Sequence, residues 1–202
     1  MFYNYKRFCS TFVLLLTFSL ATILTSCDVL NTAEELIIPV KHEDAFQIKK
    51  GQHSSNSPHK SINTQLIRFE ATFDSSAIYT SVKPENQADI NKLYGVSDCG
   101  SHHHTNSARF GWRWYNGKLE ILAYTYVNKK RDFKLIRSVE IGQTYKYELR
   151  LEDKQYVFLV DGVKTVMPRN CSGAGNGYQL YPYFGGDEVA PHDIKIAVKD
   201  LL

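Results

Sequence analysis

The chain has 202 residues, with 24 Lys and Arg against 21 Asp and Glu and a formal net charge of +3. A charge this small exerts no long-range pull on polyanions, which argues against nucleic acid as a partner. Thirteen Tyr and eleven Phe are many for this length, and much of that aromatic content falls after Phe110.

The first 27 residues are ordered as a secretory signal. Lys6 and Arg7 form a basic start, residues 12–23 are apolar and uncharged, and Leu24, Thr25, Ser26 and Cys27 close the segment. Those last four residues resemble the lipobox of bacterial lipoproteins. The resemblance implies a leader over 1–26, a lipidated tether over 27–35 with the lipids on Cys27, and a globular domain over 36–202. It places that domain at the cell envelope, anchored to a membrane and facing the periplasm or the cell surface. An uncleaved anchor is the alternative, since residues 8–27 are just long enough to cross a bilayer, but Ser10, Thr11, Thr17, Ser19, Thr22, Thr25 and Ser26 make a poor span. Asp28 resembles an inner-membrane retention signal of enteric bacteria that other bacterial groups do not follow, so the leaflet stays open. Removing Lys6 and Arg7 with the leader leaves a net charge of +1 and about 175 residues, one domain with a real core.

Of the four cysteines, Cys9 goes with the leader and Cys27 is the lipid site. Cys99 and Cys171 remain, in a compartment that is usually oxidising. A Cys99–Cys171 disulfide is expected, closing a loop of about 70 residues; two buried free thiols are the alternative.

The body reads as β-structure. Residues 36–40 and 45–49 are candidate strands, and 51–61 is a polar loop. From Ile62 the chain alternates, with Ile67, Phe69, Ala71 and Phe73 on one side and Leu66, Arg68, Glu70 and Thr72 on the other, the period of a half-buried strand. Residues 84–92 are polar, with room for one short helical turn. Asn116-Gly117 between two apolar runs predicts a type I′ hairpin. That turn pairs Tyr115 with Lys118, Trp114 with Leu119, Trp112 with Ile121, Phe110 with Ala123 and Ala108 with Thr125 on the core face. On the other face it pairs Arg113 with Glu120, Gly111 with Leu122 and Arg109 with Tyr124, followed by Tyr126. A one-residue slip would bury both arginines, which enforces the register. A second meander follows: Tyr145 to Leu151, a turn at 152–154, 155–160, a turn at Asp161-Gly162, and 163–167. Residues 171–177 are a glycine-rich loop, 178–184 are aromatic and extended with Pro182 marking an edge or bulge, and Ile194, Ile196 and Val198 alternate in a last strand. Many short strands with turns between them predict an all-β, antiparallel β-sandwich.

A strand, Val160-Asp161-Gly162, a second strand and the late return at 194–198 resemble the concanavalin A-like jelly roll of lectins and glucanases. The resemblance covers residues 36–202 and implies glycan binding on the concave sheet. The glucanase branch carries Glu-x-Asp-x-x-Glu on one strand, which is absent here. The alginate-lyase branch carries Glu-Leu-Arg, Gln-Ile-His and a Tyr-rich strand. Glu148-Leu149-Arg150 matches the first, no Gln-Ile-His occurs, and no catalytic role is carried over.

Three constellations could carry chemistry. The polar face of the hairpin bears Arg109, Arg113, Glu120, Tyr124 and Tyr126, with Gly111 leaving a hollow between the arginines. Aromatic rings stack on sugars while Arg and Glu bond hydroxyls or acidic groups; a solvated sheet face with an Arg113–Glu120 cross-strand pair is the alternative. His102, His103 and His104 suggest a transition metal, but consecutive side chains diverge, so a polar loop is the expectation. One of those histidines could instead act as a base toward a uronic acid, with Arg109 neutralising the carboxylate and Tyr124 donating to the leaving oxygen, the lyase reaction. Asp187, Glu188 and Asp193 are candidate ligands for a structural Ca²⁺, or simply a turn into the last strand; no other cofactor is expected. The functional expectation is non-catalytic glycan binding at the cell envelope. A polysaccharide lyase or hydrolase on an acidic glycan is the second reading, and an envelope module binding another protein the third.

Overall fold

The computed structural model describes residues 44–201 other than Asn56. The leader, Cys27, the tether and the candidate strand at 36–40 lie outside the described residues.

Among the described residues, twelve strands form two six-stranded antiparallel sheets. The strands are β1 Asp44–Ile48, β2 Ser61–Thr64, β3 Leu66–Phe73, β4 Asn91–Ser97, β5 Ser107–Tyr115 and β6 Lys118–Val127, then β7 Lys130–Val139, β8 Thr144–Glu152, β9 Gln155–Val160, β10 Val163–Pro168, β11 Gly175–Leu180 and β12 Ile194–Leu201. The first sheet runs β1-β12-β3-β8-β9-β10 and the second β2-β11-β4-β5-β6-β7. Their inner faces meet in one aromatic core. Phe69 stacks on Tyr147 with ring centroids 4.9 Å apart, and the edge of Phe110 meets both Tyr147 and Phe158 at 5.1 Å. Trp112, Phe73 and Ile121 are also buried there. Such pairs add to area burial because ring edges and faces carry opposite partial charge.

The Asn116-Gly117 hairpin forms in the predicted register at every pair, from Tyr115 opposite Lys118 out to Ser107 opposite Tyr126. Both turn residues have positive φ, 51° and 70°, which is what a type I′ turn demands. The alternating stretch after Ile62 is not one strand. It breaks at Gln65, so β2 pairs with β11 in the second sheet while β3 pairs with β8 and β12 in the first. Pro182 marks neither an edge strand nor a bulge: β11 lies between β2 and β4 and ends at Leu180.

Cys99 and Cys171 are bonded, with Cα atoms 5.8 Å apart across a sequence separation of 72. A cross-link of that span restricts the unfolded chain by about 4 kcal/mol in the chain-entropy model. Cys171→Ser is therefore expected to lower unfolding free energy by about that amount, read from guanidinium transitions of the variant and the oxidised protein. Coincident transitions would show that the bridge adds nothing.

Candidate functional site

The outer face of the second sheet carries the charged and aromatic side chains. On β5, Arg109 and Arg113 point outward, and Tyr124 and Tyr126 follow on β6. This face is not a solvated one: Arg109 is only 6% exposed and Tyr124 only 4%. Part of the cover comes from residues 84–90, which form a 3₁₀ turn at Pro84–Ala88 and then cross the sheet. Ile90 lies over Gly111, where an added Cβ would come within 2.5 Å of the isoleucine methyl. The hollow expected at Gly111 is thus filled, and Ile90 packs with Leu122 and Tyr124 in a small apolar cluster.

That cluster divides the five residues expected to act together. Arg113 Nε donates to Glu120 Oε2 at 2.7 Å, its Nη1 donates to the Ala88 carbonyl at 2.8 Å, and its guanidinium lies over the Tyr115 ring. Arg113 and Glu120 therefore fasten the 84–88 turn to the sheet. Arg109, Tyr124 and Tyr126 stay together on the other side of Ile90, joined by residues that sequence reasoning did not select: Lys92, Tyr178 and Tyr183.

Lys92 comes from β4. Its backbone exchanges two hydrogen bonds with Tyr183, at 2.8 and 2.9 Å. Its Nζ donates to the Gly185 carbonyl at 2.7 Å and lies 5.2 Å and 5.6 Å from the ring centroids of Tyr124 and Tyr183. The Arg109 guanidinium stands 5.5 Å over the Tyr124 ring. Gly95 makes room beneath it, since a Cβ there would sit 2.9 Å from Arg109 Cγ and closer still to the β5 backbone. Asp89, Ile90, Lys92, Tyr124, Arg131 and Phe133 line a pocket of ≈ 110 Å³ on this face. A larger one, ≈ 940 Å³ between β1 and residues 49–60, shares none of these residues, and the lysines that line it are exposed.

Two like charges, Lys92 and Arg109, are packed together here. Burial, then the neighbouring Arg109, pull the Lys92 ammonium down to about 8, with Asp89 opposing. Burial also pulls Arg109 below the ordinary guanidinium value, opposed only by the four surrounding tyrosines, Tyr124, Tyr126, Tyr178 and Tyr183. Among the described residues no acceptor lies within hydrogen-bond reach of Arg109 Nε, and Ser107 Oγ on the same face is also buried without a partner. Unpaired buried donors are rare because each costs its desolvation free energy.

The histidine turn borders this cleft. The His102 carbonyl accepts from the backbone N–H of Thr105 at 2.7 Å and of Asn106 at 3.2 Å. His103 Nδ1 lies 2.8 Å from the Tyr178 hydroxyl, and the His104 ring packs 5.3 Å from that of Tyr126. Burial first, then Arg109, hold His103 down to about 4, so its imidazole is neutral at ordinary pH. The rings do not diverge: their centroids are 4.1, 4.3 and 5.2 Å apart. Consecutive residues of a helical turn are set about 100° apart, against 180° in a strand.

The other sequence candidates are occupied elsewhere. Glu188 accepts from the Val82 and Lys83 backbone N–H groups, both at 2.8 Å, and from Asn86 Nδ2 at 3.0 Å. Asp193 accepts from Lys50 N and Gln47 Nε2 at 2.8 and 2.7 Å. These carboxylates cap separate loops, and no cluster of three potential ligands among the described residues includes Asp187, Glu188 or Asp193. Glu148-Leu149-Arg150 lies on β8 of the first sheet, where exposed Arg68 and Arg150 flank Glu148.

No family model and no curated protein sequence matches this chain. Solved structures share its fold. The alginate lyase AlyC3 in complex with dimannuronate superposes with a TM-score of 0.52 at 11% identity, over 79% of this chain and 73% of that one. The catalytic domain of an endo-1,3-beta-glucanase (laminarinase) from Thermotoga petrophila gives 0.50 at 8% identity, over 78% and 75%. At such identities the likeness establishes the architecture alone: an antiparallel β-sandwich of the jelly-roll kind.

Proposed function

We propose that this protein binds an acidic glycan on the outer face of the second sheet, with sugar carboxylates on Arg109 and Lys92 and sugar rings against Tyr124, Tyr126, Tyr178 and Tyr183. The observation that carries the reading is the buried Arg109 guanidinium, whose Nε has no acceptor among the described residues, set among four tyrosines. Cations fixed in a low-dielectric, tyrosine-walled cleft favour an anion over a neutral ligand. A neighbour in fold holds dimannuronate, which agrees with this choice. The order of residues 6–27 supports a lipid anchor at Cys27 and a place at the cell envelope, a compartment in which disulfides persist.

Calorimetric titration with uronate and neutral oligosaccharides tests the reading. Binding of the acidic ones is expected to weaken as pH rises from about 8 toward 9, by up to about tenfold per unit, as Lys92 loses its proton. Fold stability moves the other way. The unfolded chain holds the Lys92 proton up to the ordinary value of 10.5, the folded one only to about 8, so deprotonation in this window favours the folded state. Selective binding of neutral glycans, or none of acidic ones, overturns the proposal.

The hydrogen bond between His103 and Tyr178 beside Arg109 favours a second reading, polysaccharide lyase. His103 would take the proton next to the uronate carboxylate while a tyrosine protonates the leaving oxygen, leaving a double bond that absorbs in the ultraviolet. An imidazole held at about 4 is a weak base, and catalysis works best with a pKa near the working pH. That ranks binding above elimination, and ultraviolet-absorbing products would reverse the ranking.

A further inference from the structure

We infer that the turn at residues 102–105 is a binding site for a divalent transition metal ion, held by the imidazole nitrogens of His102, His103 and His104. One ring nitrogen from each of the three lies within 4.8 Å of the others. A tetrahedral ion with metal–nitrogen bonds of about 2.0–2.1 Å sets its nitrogens roughly 3.4 Å apart, so closing the site takes side-chain movements on the order of 1 Å. His102 and His104 are exposed and free to make them. Imidazole suits zinc, copper and nickel, whereas calcium and magnesium take oxygen ligands.

The surrounding structure holds the backbone of the turn and its middle ring in place before any ion arrives. The helical hydrogen bonds to the His102 carbonyl, the Asp98–Asn106 backbone bond and the Cys99–Cys171 bridge fix both ends of the turn. Tyr178 fixes the middle ring. With His103 Nδ1–H donating to the Tyr178 oxygen, Nε2 keeps its lone pair for the metal, and a partner on the non-ligating nitrogen orients the ring. Arg109 and Lys92 stand behind the turn and repel a bare dication. The remaining coordination positions face solvent, where hydroxide or a carboxylate supplies the compensating charge.

Asp98 and His192 are not partners. Asp98 is fully buried and salt-bridged to Arg169, and His192 is bonded to the Ser76 carbonyl.

The site is independent of glycan binding and is tested with metal alone. The full chain, prepared without an affinity tag, is titrated calorimetrically with Zn²⁺, and the Cu²⁺ form is examined by electron paramagnetic resonance. One ion per chain and nitrogen hyperfine splitting are expected. His103→Ala, and separately the double variant His102→Ala/His104→Ala, should lose affinity by about a hundred-fold or more. Circular dichroism and the metal-free melting temperature of the double variant should match the parent, because both side chains are exposed. Replacing His53, His59 and His192 together should leave affinity unchanged. Undiminished affinity in the double variant, or no Zn²⁺ binding at micromolar concentration, overturns the assignment.

Discussion

Arg169→Met is expected to lower the unfolding free energy by about 3–5 kcal/mol, the cost of removing one member of a buried ion pair. The Arg169 and Asp98 side chains are both 0% exposed. Arg169 Nε and Nη2 donate to the two oxygens of Asp98 at 2.7 and 3.2 Å, and Tyr156 adds its hydroxyl at 2.8 Å. Arg169 Nη1 also donates to the carbonyls of Glu152 and Gly173, at 2.9 and 2.8 Å. Methionine fills the volume but leaves a buried carboxylate with the Tyr156 hydroxyl as its remaining side-chain donor among the described residues. Asp98→Leu/Arg169→Met should recover much of the loss, because the penalty lies in the orphaned charge and not in the missing pair. Urea midpoints at constant slope measure both. A loss below about 1 kcal/mol for the single variant would mean the pair behaves as a surface one. The network also borders the candidate site, since Asp98 precedes Cys99 and its backbone closes the histidine turn through Asn106.

What the sequence made legible was local. Asn116-Gly117 carries its own geometry, so the hairpin register, the core face and the neighbourhood of Arg109 and Tyr124 all followed from one turn. The turn into β7 is Asn128-Lys129, with φ of 51° and 67°. It has the same geometry without the glycine, and β7 is an exposed, charged edge strand without clean alternation, so it left no signal. β4 was hidden by its register shift between Lys92 and Gly95, which puts Leu93 and Tyr94 both in the core and breaks the period of two. The split at Gln65 was invisible because β2 and β3 share one continuous alternation; only their partners differ. The site failed to assemble on paper for a related reason. Lys92, Tyr178 and Tyr183 reach it from a bulged strand, from β11 and from a bridge after Pro182, and nothing in residue spacing reports such long-range meetings. Gly111 read as a hollow because the side chain that fills it lies 21 residues upstream, at Ile90.

Arg109→Met separates a ligand-binding guanidinium from a structural one, because the two roles predict opposite changes in stability. If Arg109 held the fold together as Arg169 does, its loss would leave a partner stranded and destabilise the domain by several kcal/mol. Among the described residues Nε has no acceptor, no ion pair to a carboxylate is seen, and the guanidinium lies over the Tyr124 ring with Tyr126, Tyr178 and Tyr183 near it. Replacing a buried, uncompensated charge by an apolar chain of similar length is therefore expected to leave stability unchanged or raise it, and to relieve the repulsion felt by Lys92. Binding of an acidic glycan should fall by about 2–5 kcal/mol, thirty-fold or more, since truncating one side of a desolvated charge pair leaves the other unpaired. A chain that keeps such a charge buried bears a standing cost in the free state that only an anion relieves. Denaturation and calorimetry on the one variant give both numbers. A destabilised Arg109→Met whose affinity for uronates is unchanged would return the arginine to the fold and remove the cleft from function.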